Sequence, residues 1–316
     1  MHVASIETVR EAAQRIAPHV HRTPVLRSAR LDEQFGLSLF FKCENLQKVG
    51  AFKARGATNA VLNLDEESAR RGVITHSSGN HGAALAYAAS RRGIPCVVVM
   101  PDDAPTIKRD AVAGYGAEIV DCPRSEREAT CKAQMEQRGM TLIHPYEHPD
   151  VISGQGTVAL ELLDQAEDLD IVVAPVGGGG LLSGTAVTVS ALRGEKTTLW
   201  GAEPKAVDDA YRSLESGELQ PGVAQPQSWG DGLLTGLGCN PFTLLKERGV
   251  RVITVSEEAM LDAAWMLISR LKTVVEPSAG VSFAAAIKQR EAWAGKRVGV
   301  ILSGGNTDFR WLEEIG

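Results

Sequence analysis

"APVGGGGLLSGTAV" occupies residues 174–187, and four consecutive glycines, Gly177 to Gly180, join its apolar start to a helical run. The apolar part, "DIVVAPV" (170–176), is β-branched and nearly continuous, as a strand covered on both faces should be. Four glycines in a row are costly in conformational entropy. A flexible turn is one explanation. The other is a main chain left bare so that its N–H groups converge on a ligand. A helix N-terminus behind such a loop suits a phosphate. The spacing is not G-x-G-x-x-G, and no GKS or GKT follows, which disfavours a dinucleotide fold or a P-loop.

The same alternation extends in both directions. "LFFKC" (39–43), "GVITH" (72–76), "PCVVVM" (95–100), "AEIVD" (117–121), "MTLIH" (140–144), "TLWGAE" (198–203), "VRVITV" (250–255) and "RVGVILSG" (297–304) also read as strands. Stretches with helical spacing lie between them, such as "GNHGAALAYAASRRG" and "TIKRDAVAGYG". Strand–helix alternation implies an α/β protein with open parallel sheets and right-handed crossovers. The strands from 72 to 144 form one set of four and the later strands another, with a crevice between two sheets. The expected division is a small mobile domain over 71–147 and a large domain over 1–70 and 148–316. "ESGELQPGVAQPQSWGDG" (215–232) reads as a long excursion loop, a kind that is often functional.

Composition bounds the function. The 316 residues are 44% hydrophobic and 23% charged, with a net charge of −6, an ordinary globular balance. No basic patch favours nucleic acid. The five cysteines (Cys43, Cys96, Cys122, Cys131 and Cys239) are odd in number and never in C-x-x-C spacing, which fits a reducing cytoplasm rather than disulfides or zinc. The N-terminus lacks an apolar signal core, and no long apolar span occurs.

Two further loops follow strands. In "THSSGNHGAAL" (75–85), Ser77, Ser78, Asn80 and His81 crowd around Gly79; helix capping explains only part of this. "ILSGGNTDF" (301–309) places Ser303 and two glycines after a strand. Three such loops point to one crevice at the carboxyl ends of the strands, where open α/β sheets bind ligands. "NLQKVGAFKARGATNAV" (45–61) adds Lys53, a cation at the mouth of a helix beside Ala51 and Phe52.

With these residues in view, the chain resembles the fold-type II pyridoxal-phosphate enzymes (tryptophan synthase β-like), and within them the serine racemase and serine/threonine dehydratase group. "GAFKARGA", "SSGNHG", "GGGG", "EPSAG" (276–280) and "LSGGN" (302–306) carry the resemblance, in order, through nearly the whole chain. It implies that Lys53 carries pyridoxal 5′-phosphate as an internal Schiff base and then acts as general base. An unprotonated amine is needed, so its pKa must be lowered. Gly177, Gly178, Gly179, Gly180 and Leu181 would offer amides to the phosphate. Asn80 would bond the ring 3′-oxygen, Phe52 would lie against the ring, Gly232 would lie near it, and Ser303 would meet the pyridine nitrogen. A neutral hydroxyl there makes a weaker electron sink than an aspartate would.

The implied reaction is β-elimination of serine, threonine or 3-hydroxyaspartate to a 2-keto acid and ammonia. Ser77, Ser78, Asn80 and His81 would bind the substrate. In racemases of the group a serine at the Ser78 position is the second base, so serine racemisation is a further expectation. Main-activity racemase and cysteine synthase-like β-replacement are the alternatives. Glu203, the Val207 carbonyl and Asp209, in "GAEPKAVDDAY" (201–211), would bind Mg²⁺ (or Ca²⁺ or Mn²⁺) through hard oxygen ligands; a helix-dipole role for these acids is the plainer reading. A homodimer is implied by the resemblance alone. An acidic substrate side chain would want a cation, and Arg124, Arg127 and Arg212 are the candidates noted.

Overall fold

A computed structural model describes residues 4–77, 79–104 and 106–315. In chain order the strands are β1 (Val25–Leu26), β2 (Ser38–Cys43), β3 (Val73–His76), β4 (Cys96–Pro101), β5 (Glu118–Cys122), β6 (Thr141–Leu142), β7 (Ile171–Pro175), β8 (Thr198–Pro204), β9 (Arg251–Val255) and β10 (Arg297–Leu302). They form a six-stranded sheet, β1-β2-β10-β7-β8-β9, and a four-stranded sheet, β5-β4-β3-β6. Every pairing is parallel except β1 with β2.

Strands β2 to β10 fall on the runs expected to be strands. β1 does not: two residues at a sheet edge are too few to show a period. "MTLIH" keeps only Thr141–Leu142 as strand, with Ile143 N still donating to Ile74 O at 3.0 Å beyond it. No strand or α-helix forms between Gly217 and Gly230, as expected of the excursion loop.

β10 shows how the larger sheet is covered. Val300 belongs to the apolar layer built on Phe41, Val173 and Phe283, while neighbouring Ile301 belongs to the opposite layer with Val172 and Leu182. Alternate side chains thus enter two different cores. A third core joins Leu85 and Val98 of the smaller sheet's layer to Ala57, Ala60 and Val61, on the helix Lys53–Leu62, and to Val151. The helix that begins at Lys53 therefore packs with both halves of the molecule.

Helix Pro149–Gln165 locks that geometry. A Cβ on its Gly154 would lie 2.6 Å from Gly56 Cα, and a Cβ on Gly184 would lie 2.5 Å from Gly156 N. Backbones touch at both crossings, so glycine is the residue that fits. The helix carrying Lys53 and the helix Gly180–Arg193 behind the glycine loop are thereby held to one common partner.

A buried charge network pins the same region. The Arg55 guanidinium donates to Glu44 (Nε to Oε2, 2.7 Å; Nη2 to Oε1, 2.8 Å) and to Glu161 (Nη1 to Oε1, 2.7 Å; Nη2 to Oε2, 2.8 Å). Lys42 Nζ joins Glu161 Oε2 at 2.6 Å and donates to Thr23 O at 2.8 Å. Arg55, Lys42 and Glu44 are all fully buried. All five cysteines are unpaired, and no helix among the described residues is long and apolar enough to cross a membrane.

Removing Arg55 leaves Glu44 buried without its counter-charge, a change that typically costs about 3–5 kcal/mol. Arg55→Met is expected to lower the unfolding free energy in urea by that order. A loss under about 1 kcal/mol would mean that the network contributes little net stability.

Candidate active site

Four helices begin at the crevice between the sheets: Lys53–Leu62, Asn80–Arg92, Gly180–Arg193 and Pro277–Lys288. None has a side-chain cap, and their N-cap residues are Phe52, Gly79, Gly179 and Glu276. Ends left uncapped keep free N–H groups and positive dipole ends aimed at the crevice. The sequence suggested that Ser or Asn would cap the second of these; instead Ser77 Oγ accepts from Gly79 N at 3.3 Å, one step before the helix.

Lys53 is the first helical residue after Phe52, and its Nζ donates to Pro145 O at 3.1 Å. The ammonium lies 5.1 Å from the Phe52 ring centroid. Burial lowers its pKa to about 8, against an opposing pull from Glu276. A cation in a first helical turn is also disfavoured by the dipole. The amine that the sequence marked as misplaced is thus held where losing its proton is easy.

The loop before Lys53 pairs with the loop after β10. Phe52 N donates to Ser303 O at 3.0 Å, Gly305 N donates to Gly50 O at 2.9 Å, and Ala51 bridges Gly304. Ser303 is buried, and its hydroxyl has no hydrogen-bond partner among the described residues. A buried orphan hydroxyl is expensive unless a ligand completes it.

The glycine loop leads from β7 into the helix Gly180–Arg193, with Gly179 at φ +92°. Its glycines answer to crowding as well as to bare amides. A Cβ on Gly179 would meet Pro241 at 2.6 Å, one on Gly180 would meet Tyr146 Cβ at 3.1 Å, and one on Gly178 would run into the Tyr146 ring. Gly177 faces the Leu233 backbone beside Gly232. Leu181 is buried in the first turn behind the loop.

Asn80 opens its helix with both amide atoms engaged. Nδ2 lies 3.1 Å from each oxygen of Glu276, and Oδ1 accepts from Asn306 Nδ2 at 2.9 Å. His81 Nε2 lies 2.9 Å from Ile143 O and must be the protonated nitrogen. Burial, then the nearby Lys53 charge, push its pKa down to about 3, so the ring is neutral. Its one ring donor is spent on Ile143, which leaves the main-chain amide and Nδ1 for a ligand. Ser78, expected as second base and substrate contact, lies outside the described residues.

Glu203 is the second-to-last residue of β8 and is buried beside Asp209. Its oxygens accept from Ala210 N (3.1 Å) and Tyr211 N (3.0 Å), and Asp209 Oδ2 accepts from Leu237 N at 2.7 Å. Burial raises the Glu203 pKa to about 8, and Asp209 is raised for the same leading reason. Asp208 instead pairs with Arg212. No group of three or more metal-ligating side chains occurs among the described residues. Of the arginines noted, Arg124 pairs with exposed Asp103, whereas Arg127 Nε is buried without a hydrogen-bond partner among the described residues and its charge reaches His76 and Tyr146.

Sequence reasoning gave no role to Glu276, Asn306 or Pro145. "EPSAG" and "LSGGN" were visible as motifs, but only the fold brings them to Asn80. Pro145 offers a main-chain oxygen, which no residue identity reveals.

A family model described as pyridoxal-phosphate dependent enzyme matches residues 16–304. A β-hydroxyaspartate dehydratase from Paracoccus denitrificans is 48% identical, over 98% of each chain. A serine racemase from Dictyostelium discoideum is 45% identical over 100% of this chain and 98% of its own. The crystal structure of a serine racemase from the same organism superposes with a TM-score of 0.92, at 46% identity, over 97% of this chain and 99% of its own. The crystal structure of a threonine deaminase from T.th. gives a TM-score of 0.92 at 45% identity, over 96% of this chain and 99% of its own. The lysine at a desolvated helix mouth, the bare glycine turn and the orphan serine therefore sit in a chain that belongs to the pyridoxal-phosphate dependent enzymes.

Proposed function

We propose that the crevice binds pyridoxal 5′-phosphate through Lys53 and eliminates water from a β-hydroxy amino acid, the released enamine then taking up water to give a 2-keto acid and ammonia. The observation that carries this reading is the easily deprotonated Lys53 amine, set between an uncapped glycine-loop helix and the unpartnered Ser303 hydroxyl. The bound cofactor supplies a sink for the electron pair left at Cα when its proton departs.

The chain's own residues do the rest. Amides of Gly177 to Gly180 and Leu181 hold the phosphate, and Ser303 Oγ meets the ring nitrogen. Phe52 and Gly232 shape the ring's slot. Asn80 Nδ2 keeps one hydrogen for the ring oxygen while the other faces Glu276. Lys53 Nζ takes the Cα proton as general base. The substrate carboxylate lies against the first-turn amides of the Asn80 helix, with Ser77, Ser78 and His81 around it. Residues 71–147 close as a small domain over this site.

Among β-hydroxy amino acids, 3-hydroxyaspartate is the reading supported by Arg127, whose buried Nε has no hydrogen-bond partner among the described residues, and by the resemblance to the Paracoccus dehydratase. Racemisation is the second reading, supported by the resemblance to the Dictyostelium racemase. Glu203, Asp209 and the Val207 carbonyl hold Mg²⁺, Ca²⁺ or Mn²⁺. Two buried carboxylates with raised pKa values and no ion-pair partner among the described residues support this role.

Reconstituted protein is expected to show a visible cofactor band. Borohydride should fix the label on the peptide containing Lys53, and Lys53→Ala should lose it. A label on another residue overturns the assignment. A panel of L-serine, L-threonine and 3-hydroxyaspartate should release 2-keto acid, fastest with 3-hydroxyaspartate. Arg127→Ala should erase that preference. D-serine formed by wild type but not by Ser78→Ala supports the racemase reading, whereas rapid cysteine formation from O-acetylserine and sulfide would replace elimination with β-replacement.

Cofactor capture needs the neutral amine, and the Lys53 pKa is lowered to about 8. The capture rate of the apo-protein should therefore rise with pH through about 8 and level off above it. An ordinary lysine would need pH near 10.4 or beyond, about two units higher. A rise delayed to that range contradicts the desolvated amine.

Added Mg²⁺ should raise the melting temperature of wild type by a few degrees, of the order of 1 kcal/mol for a chain of this size, and that of Asp209→Ala not at all. Equal shifts in both proteins place the ion elsewhere.

A further inference from the structure

"EPSAG" keeps a carboxyl where burial is costly. Glu276 is 3% exposed and has no ion-pair partner among the described residues within salt-bridge distance. Its oxygens instead face Asn80 Nδ2, both at 3.1 Å. The space it fills is kept open by Gly304, with Gly232 in ordinary contact beside it. A Cβ on Gly304 would lie 2.7 Å from Glu276 Oε1, and a Cβ on Gly232 would lie 3.7 Å from the same oxygen. Glu276 N also donates to Gly304 O at 3.1 Å. The carboxyl is thus wedged between the loop after β10 and the loop at Gly232, and reaches across the crevice to the Asn80 helix.

Asn306 completes the arrangement. Its Nδ2 donates to Asn80 Oδ1 at 2.9 Å and to Val49 O at 2.8 Å. In either protonation state Glu276 offers an acceptor oxygen to the Asn80 amide N–H, and Asn306 Nδ2 can only donate to the Asn80 carbonyl. The two together decide which way the Asn80 amide points. One N–H is shared between the two Glu276 oxygens, the carbonyl accepts from Asn306, and the other N–H meets no further acceptor among the described residues.

We propose that Glu276 is a positioning residue: with Asn306 it fixes the amide of Asn80 so that its second N–H faces the cofactor oxygen, and it ties the Asn80 helix to the larger sheet. The inference rests on the cofactor reading above. The charged groups around Glu276 are Lys53, Asp231 and Lys108, the last two forming a 2.6 Å ion pair. That ion pair also spans the crevice, from helix Thr106–Ala113 to the turn Asp231–Leu233. Burial, reinforced by Asp231, holds the Glu276 carboxyl well above the usual carboxylate range. A carboxyl kept at that cost in a binding crevice has a role beyond packing.

The test is a double-mutant cycle on cofactor affinity in the full-length protein, read with pyridoxal phosphate itself. Asn80→Ala and Glu276→Ala should each weaken binding by roughly tenfold, the scale of one oriented hydrogen bond. Glu276→Ala should also take on the visible absorption maximum of Asn80→Ala. In the Asn80→Ala background, Glu276→Ala should cost nothing more, because the residue acts through Asn80. Glu276→Gln keeps the volume and serves if the alanine variant does not fold; any loss it causes must likewise vanish in the Asn80→Ala background. Losses that multiply, or an unchanged affinity in both Glu276 variants, overturn the role. A wild-type protein without a visible band overturns the cofactor reading instead, so the two failures are distinguishable.

Discussion

Burying the amine of Lys53 is the constraint to which the rest of the crevice answers. A lysine ammonium taken out of water is expensive, and the relief available is to give up the proton. The helix start, whose dipole opposes a cation, steers it that way, while the main-chain oxygen of Pro145 and the ring of Phe52 hold the nitrogen in place and favour its charged form. Glu276 also acts against proton loss, by raising the amine's pKa.

Holding one amine in such surroundings requires that several chain segments meet at fixed distances. Glycine contacts supply much of this. Gly56 against Gly154, and Gly156 against Gly184, bring three helix backbones together, so the Lys53 helix and the glycine-loop helix share one reference. The Arg55 network then fixes the Lys53 helix by two carboxylates from different parts of the chain, buried Glu44 and half-buried Glu161. Such networks specify geometry more surely than they add stability. The same helix also contributes Ala57, Ala60 and Val61 to the core of the smaller half. Movement of that half would consequently be felt at Lys53.

The convergence of four uncapped helix starts gives the crevice a positive character without spending charged side chains. Fixed amides and dipoles favour an anion and disfavour an ammonium, which suits a phosphate and a carboxylate as guests and a neutral lysine as host. The histidines fit the pattern. His81 and His144 are both pushed towards the neutral form, first by burial. His81 then serves as a neutral strut between the Asn80 helix and Ile143, and is not available as an imidazolium.

Strand runs, the glycine loop, the serine–glycine loop and the odd lysine were all legible in order along the chain, because each is a local pattern: β-branched continuity, bare main chain before a helix, a cation among small residues. Together they were enough for an α/β fold with its crevice at the strand ends, and the resemblance they carried named a family that the comparisons also show. The two-residue edge strand β1 left no period to read. What the tertiary structure decided is everything that needs two distant segments at once: Glu276 against Asn80, Tyr146 seated on Gly178, Pro145 O under Lys53, and the His81 ring turned to Ile143. Local pattern records what a residue prefers for itself. A lowered pKa, a fixed amide flip or a forbidden Cβ depends on which neighbours the fold delivers, and that is a property of the folded chain.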